Sequence, residues 1–163
     1  MTVPEASKAV LNLLNDLIGG SAPEGSWILN PNDPGLLRSL DALPAEQASE
    51  IPSGGGSSIA AHVEHLRFGL ELLNRWGEGE TDVFVNANFS ASWAHNIVTT
   101  EEWAVRRKAL ARETHKWCRV VENPTASGGP GIDAMIASVV HLAYHLGAIR
   151  QIDRSLRGPS AND

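Results

Sequence analysis

The stretch SIAAHVEHLRFGLELLNRWG, from Ser58 to Gly77, decides the fold class. With Ile59 set at zero and each residue stepped by roughly 100°, Glu64, Arg67, Glu71, Asn74 and Arg75 fall on one polar arc. Ile59, Ala61, Val63, Leu66, Phe68, Leu70, Leu72, Leu73 and Trp76 fill the rest. This is the period of a half-buried helix, with Ser57 or Ser58 as N-cap after Gly54-Gly55-Gly56 and Gly77 as its stop. His62 lies near the middle of the apolar arc and His65 about 60° from it. Both histidines therefore point inward, and Gly69, one turn further on, leaves room beside them.

The same period recurs in three other windows. A first helix is expected from about Pro4 to Ile18, with Val10, Leu13, Leu14, Leu17 and Ile18 as its stripe and Gly19-Gly20 as its stop. A capping box, Thr99 with Glu102, opens a third helix that runs to about Val121 and is broken by Asn123-Pro124. Its apolar side (Trp103, Leu110, Trp117, Val121) belongs to the core. After a Ser127-Gly128-Gly129-Pro130 loop, a fourth helix is expected from about Gly131 to Arg157. The connection from Ser21 to Gly56 is irregular, with five prolines and short helical pieces around Gly35–Leu43 and Ala45–Ser49. A connection this long invites a functional reading, but a surface wrap held by Trp27, Ile28, Leu36, Leu37, Leu40 and Leu43 is the preferred one. Asn86 to Asn96 reads as a loop carrying Phe89 and Trp93. Strand signals are limited to short runs such as Asp82 to Val85. Four long helices with no sheet to cover predict an all-α four-helix bundle, up-and-down or crossover in topology. One domain is expected over residues 1–157, followed by a frayed tail at 158–163.

Composition narrows the function classes. The 163 residues carry 13 basic and 19 acidic side chains, a net charge of −6, which argues against a nucleic-acid partner because no basic footprint exists to displace counterions. Cys118 is the single cysteine, so neither an intramolecular disulfide nor a thiolate-rich metal cluster can form. No run of 18 apolar residues is present, and Met1 to Glu5 lacks the features of a signal peptide. A cytoplasmic protein without a membrane partner is the expectation.

Chemistry concentrates in the histidines His62, His65, His95, His115, His141 and His145. His141 and His145 stand four residues apart on the fourth helix, so their imidazoles share one face about one turn apart. A buried imidazole needs a partner for each nitrogen, and a cluster of three or four would repel if protonated. A divalent cation resolves both problems, because neutral imidazole is its commonest ligand. Two histidines from the fourth helix need a third ligand from a facing helix, and the inward arc of the second offers His65 or His62. Glu-x-x-His, His-Glu-x-x-His, P-loop and Gly-x-Ser-x-Gly motifs are all absent, which removes the di-iron, thermolysin-like, nucleotide-binding and serine-hydrolase schemes. The third helix gathers Arg106, Arg107, Lys108, Arg112, Lys116 and Arg119. These form either a solvated face balanced by Glu101, Glu102 and Glu113 or a dock for an acidic substrate.

His141-Leu-Ala-Tyr-His145-Leu-Gly-Ala-Ile-Arg150 resembles the His-x-x-x-His-x-Gly-Gln-Ile signature in the last long helix of the DinB-like (DinB/YfiT) superfamily. Ser58-Ile-Ala-Ala-His62-Val-Glu-His65-Leu66 resembles its second-helix motif, and the likeness extends from about residue 30 to 155. The resemblance implies a bundle of up-down-down-up topology, often dimeric, with a three-histidine site for a divalent metal, frequently nickel or zinc. It also implies chemistry on low-molecular-weight thiols, as in bacillithiol-dependent S-transferases and mycothiol-dependent maleylpyruvate isomerase. In the family register the third ligand is His65, the residue before Leu66, whereas the helical wheel alone favours His62. The glutamine that usually follows the motif glycine is Ala148 here. The expected metal set is thus His65, His141 and His145, holding Zn²⁺ or Ni²⁺ where a small thiol meets an electrophile. Tyr144 and Arg150 are neighbouring polar groups that could steer substrate. A non-catalytic or stress-associated metal-binding bundle, and a hydrated pocket without metal, are the rival readings.

Overall fold

The computed structural model describes residues 2–124 and 129–160, and among these it contains α-helix and one 3₁₀ turn but no strand. Four long helices build the frame: α1 (Val3–Gly19), α4 (Ile59–Gly77), α6 (Thr100–Glu122) and α7 (Ile132–Ile152). Three short ones lie in the connections: α2 (Gly35–Asp41), α3 (Ala45–Ala48) and α5 (Phe89–Ser92). Local chemistry sets the starts. Thr2 and Glu5 form a capping box on α1, Thr99 and Glu102 another on α6, and the Ser58 hydroxyl accepts from the Ala61 amide to cap α4. Ser58 is further fixed to Asn96: its hydroxyl donates to the Asn96 carbonyl at 2.6 Å and its amide donates to the Asn96 side-chain oxygen at 2.8 Å.

Contacts fix the topology. Arg106 near the start of α6 donates to the Ala60 carbonyl at the start of α4, while Asn74 near the end of α4 donates to Glu113 further along α6. The two helices therefore run parallel. Ser7 of α1 meets Met135 near the start of α7, which makes that pair parallel too. His62 meets His145 and Gly69 meets His141, so α4 and α7 are antiparallel. The result is the up-down-down-up arrangement, with the 78–99 connection crossing the length of the bundle.

Leu14, Leu66, Leu110, Trp117, Leu142 and Ile149 fill the centre. The two buried indoles have partners, Trp103 donating to the Leu43 carbonyl at 2.7 Å and Trp117 to the Ser138 hydroxyl at 2.8 Å, which removes the desolvation cost of burying an N–H. Asn74 departs from the wheel: it lies on the polar arc yet is fully buried, because α6 packs over that edge and supplies Glu113 as partner.

The wrap is held differently from the expectation. Leu36, Leu40 and Leu43 are buried, but Trp27 is 89% exposed and Ile28 40%. Carboxylates add to these leucines as anchors, in place of Trp27 and Ile28. Asp16 accepts from the amides of Ile28 and Leu29, and Asp33, buried, accepts two bonds from the Arg150 guanidinium at 2.6 and 2.9 Å and one from the Gly35 amide. This also corrects the reading of Arg150, whose guanidinium is occupied by Asp33 rather than directed at a substrate. Glycine is required where the wrap meets α1: Gly20 sits at φ 91° and a Cβ there would lie 2.2 Å from the Asp33 carbonyl oxygen.

α7 ends at Ile152, five residues short of the expected Arg157. Asp153 turns extended and its side chain accepts from the Ser155 amide, capping the 3₁₀ turn Arg154–Leu156. A local side-chain bond has displaced the next helical turn. The Pro159 carbonyl accepts from Asn30; residues 161–163 of the expected tail, and Ser127 and Gly128 of the expected loop, lie outside the described residues. By length and composition α7 is apolar enough to cross a membrane. Here its inner face packs against α1 and α4 and carries the two motif histidines, while Ile136, Val140 and Tyr144 form an exposed stripe on the other.

Candidate metal centre

α4 and α7 bring four histidines to one point. His145 and His62 are buried and His65 and His141 half-buried. The Nε2 atoms of His65 and His141 stand 3.2 Å apart, those of His141 and His145 3.0 Å, and the ligand atoms of the three residues all lie within 4.8 Å of one another. Tetrahedral Zn–N bonds of about 2.0–2.1 Å put neighbouring nitrogens about 3.3 Å apart, so the spacing suits one shared cation.

Hydrogen bonding on the far side of each ring decides which nitrogen is free. The Ser92 hydroxyl has one proton and gives it to the Phe89 carbonyl at 2.6 Å, an atom that can only accept. The contact at 2.9 Å between Ser92 Oγ and His65 Nδ1 is therefore donated by the ring. That leaves a lone pair on His65 Nε2, aimed at His141. His145 makes the equivalent contact with His62, Nδ1 to Nδ1 at 2.8 Å. When Nε2 of His145 holds a cation, its Nδ1–H donates to His62, which must then carry its own proton on Nε2. His62 thus stands behind His145 and orients it, and it is not one of the three residues whose ligand atoms converge. The residues fit a divalent ion, with neutral imidazole donors of which His65 and His145 are fixed from behind as metal-bound histidines usually are.

The surroundings keep the cluster uncharged. Burial, then the neighbouring His141 and His62, lowers His65 to about 4, and burial with the other three histidines lowers His145 to about 3; burial lowers His62 and His141 as well. Such depressed values mean that, below the ordinary 6.5, the unfolded chain takes up protons that the native cluster refuses. The stabilising contribution is complete above pH 6.5 and is lost as pH falls through about 4 and 3. The Tm of metal-free protein is expected to decline across that window, and His145→Gln, which removes one titrating ring, to flatten the decline. A parallel slope in the variant would contradict this origin.

An aromatic cover was missed in the sequence. Trp93, just after α5, stacks on His65 with ring centroids 4.3 Å apart and 22° between planes, and meets His62 edge-on at 5.1 Å. Phe89 lies 6.0 Å from His65. The available signal was an aromatic pair at helical spacing, Phe89 and Trp93, inside what otherwise reads as loop. Tyr144 packs edge-on against His145 at 5.1 Å with most of its surface exposed. His95 and His115 are exposed, away from the cluster. Cys118 lies outside it as well, and burial pushes its thiol up to about 11. On α6 the basic face is largely paired, Arg107 with Asp41, Arg112 with Glu113 and Lys116 with Glu78, which favours the balanced face over an anion dock.

A helical bundle with three convergent imidazoles between its second and last long helices defines a class: bundles with three histidines positioned to hold a metal ion. The family model for the DinB superfamily matches residues 35–149, more than half of the chain, and the chain belongs to that superfamily. No curated protein and no solved structure matches it.

Proposed function

We propose that the protein is a metal-dependent enzyme that joins a low-molecular-weight thiol to an electrophile, as an S-transferase or isomerase, at a Zn²⁺ or Ni²⁺ site formed by His65, His141 and His145. The observation that carries this reading is the convergence of three neutral Nε2 atoms with their outer nitrogens already engaged or turned away. Nitrogen donors without a carboxylate favour Zn²⁺, Ni²⁺ or Cu²⁺ over the oxygen-seeking Mg²⁺ and Ca²⁺. Three protein ligands leave a coordination position open, as catalytic rather than structural zinc sites do. A divalent ion bound there would supply Lewis acidity, lowering the pKa of a coordinated thiol into the range where thiolate dominates at neutral pH.

The chain's own residues supply position and dryness. His62 and Ser92 hold two of the rings in register. Trp93 covers the His65 face and keeps water off that side. Membership of the superfamily and a cleft beside His141 support catalysis over a purely structural role for the ion. The exposed Ile136, Val140 and Tyr144 stripe on α7 supports a homodimer, for which light scattering should give twice the chain mass of 17.5 kDa. A cytoplasmic setting, where such thiols are kept reduced, completes the reading.

The test is elemental analysis of tag-free protein followed by a conjugation screen pairing small thiols with electrophiles. The expected result is about one Zn²⁺ or Ni²⁺ per chain and thiol consumption that stops on chelation and returns with metal. If chelation instead unfolds the protein and no thiol is ever consumed, the ion is a staple and the catalytic reading fails.

A further inference from the structure

A cleft of ≈ 390 Å³ runs between α4 and α7 on the side of His141 away from the other two ligands. Leu70, Leu73, Trp76, Phe84 and Phe89 wall it, and Gly69 leaves open the space where a side chain would stand; the nearest atoms to a Cβ there are His141 Cε1 and Nδ1, at 3.7 and 4.0 Å. Its lining is almost wholly apolar. The Ser138 hydroxyl on its border is spent on the core, donating to the Met135 carbonyl and accepting from Trp117. Asp133 borders it eight residues before His141, about 12 Å along the helix.

Besides Asp133 and the Trp76 indole N–H, the polar group on the lining is His141 Nδ1. Its Nε2 faces His65 and His145, so once a cation holds Nε2 the ring proton must sit on Nδ1. His65 and His145 pass the corresponding proton to Ser92 and His62. Among the described residues Nδ1 of His141 has no hydrogen-bond partner. Metal-bound histidines almost always donate that proton, and here the acceptor has to come from whatever occupies the cleft.

We propose that this cleft binds part of the electrophilic substrate, a carbonyl-bearing compound with an uncharged apolar body up to about 12 Å long. Its carbonyl, separated from the ion by the His141 ring, anchors the substrate and is not the group the thiol attacks. The carbonyl oxygen accepts from His141 Nδ1–H and the body lies between α4 and α7, pointing toward Asp133. The Asp133 carboxylate at the far end disfavours an anionic tail. This inference rests on the metal reading above, since the cation is what commits the proton to Nδ1, and it names the substrate class for that site.

Methyl ketones of increasing length, from acetone to methyl heptyl ketone, are the probes, titrated into ¹⁵N-labelled protein with and without zinc. The Trp76 indole resonance, identified with Trp76→Phe, reports on the cleft. Affinity should rise about fourfold per added methylene until the cleft is full, and zinc-loaded protein should bind each ketone more tightly than metal-free protein. Gly69→Leu, which fills the cleft and strengthens helix propensity, should weaken the longer ketones at least tenfold while zinc is retained. Protein that holds zinc but shows no dependence on chain length, or none on Gly69→Leu, overturns the proposal and leaves the metal reading intact. Protein that holds no zinc overturns that reading and with it the role given to His141 Nδ1, whatever the ketones do.

Discussion

His145→Ala is expected to leave the protein unable to retain stoichiometric zinc through gel filtration, while His62→Ala retains it with affinity weakened by about 10–100-fold. The two residues touch, Nδ1 to Nδ1 at 2.8 Å, and both are buried. Burial or loss of packing therefore does not separate them; role does. His145 presents Nε2 to the other two ligands, whereas His62 only fixes the ring that does so. His65→Ala and His141→Ala should follow His145→Ala, since two imidazoles cannot close the site. Competition with a chelating dye measures all four. A ranking with His62 among the severe variants and His65 among the mild ones would move the ligand to His62.

Arg150→Ala should cost about 3–5 kcal/mol, or a fall in Tm of roughly 6–20 °C for a chain of this size, because it strands a buried carboxylate. Asp33 accepts from Arg150 twice and from the Gly35 amide once, and a Cβ on Gly158 would lie 1.8 Å from its Oδ2, so no water-filled space is waiting to solvate it. Adding Asp33→Asn to Arg150→Ala should recover part of the loss, since the amide oxygen still accepts from Gly35 and no charge is left unpaired. Urea unfolding at neutral pH reads both effects. Equal stability of single and double variants would show that the charge is not what the arginine serves.

The helical frame was legible because periodicity, caps and breakers agree in each long segment. Thr99 with Glu102 marked one start to the residue, and the Ser57–Ser58 pair another to within one position. The clustering of His65, His141 and His145 was legible too, from an i, i+4 pair on one helix and an inward arc on another. What the sequence withheld was non-local. Trp27 reads as an anchor for a long wrap, but the wrap is anchored by Asp16 and Asp33, whose partners lie up to 117 positions away. Asn74 reads as solvent-facing because a helical wheel does not know which neighbour covers its edge. The His62 and His65 ambiguity could not be broken by angle, since both point inward; it took Ser92, on a one-turn helix inside a crossover loop, to show which ring has its outer nitrogen tied back. Phe89 and Trp93 were visible as aromatics in a loop, yet nothing local says that this loop folds over the histidines.

The most direct test of the central claim is zinc K-edge X-ray absorption on tag-free protein reconstituted with one equivalent of Zn²⁺. Three imidazole nitrogens at about 2.0–2.1 Å, with one further light-atom ligand, and loss of the imidazole signature in His141→Ala, which no longer holds the ion, is the predicted result. A shell of oxygen ligands alone, or a spectrum unchanged by His141→Ala, would contradict a metal centre built from His65, His141 and His145.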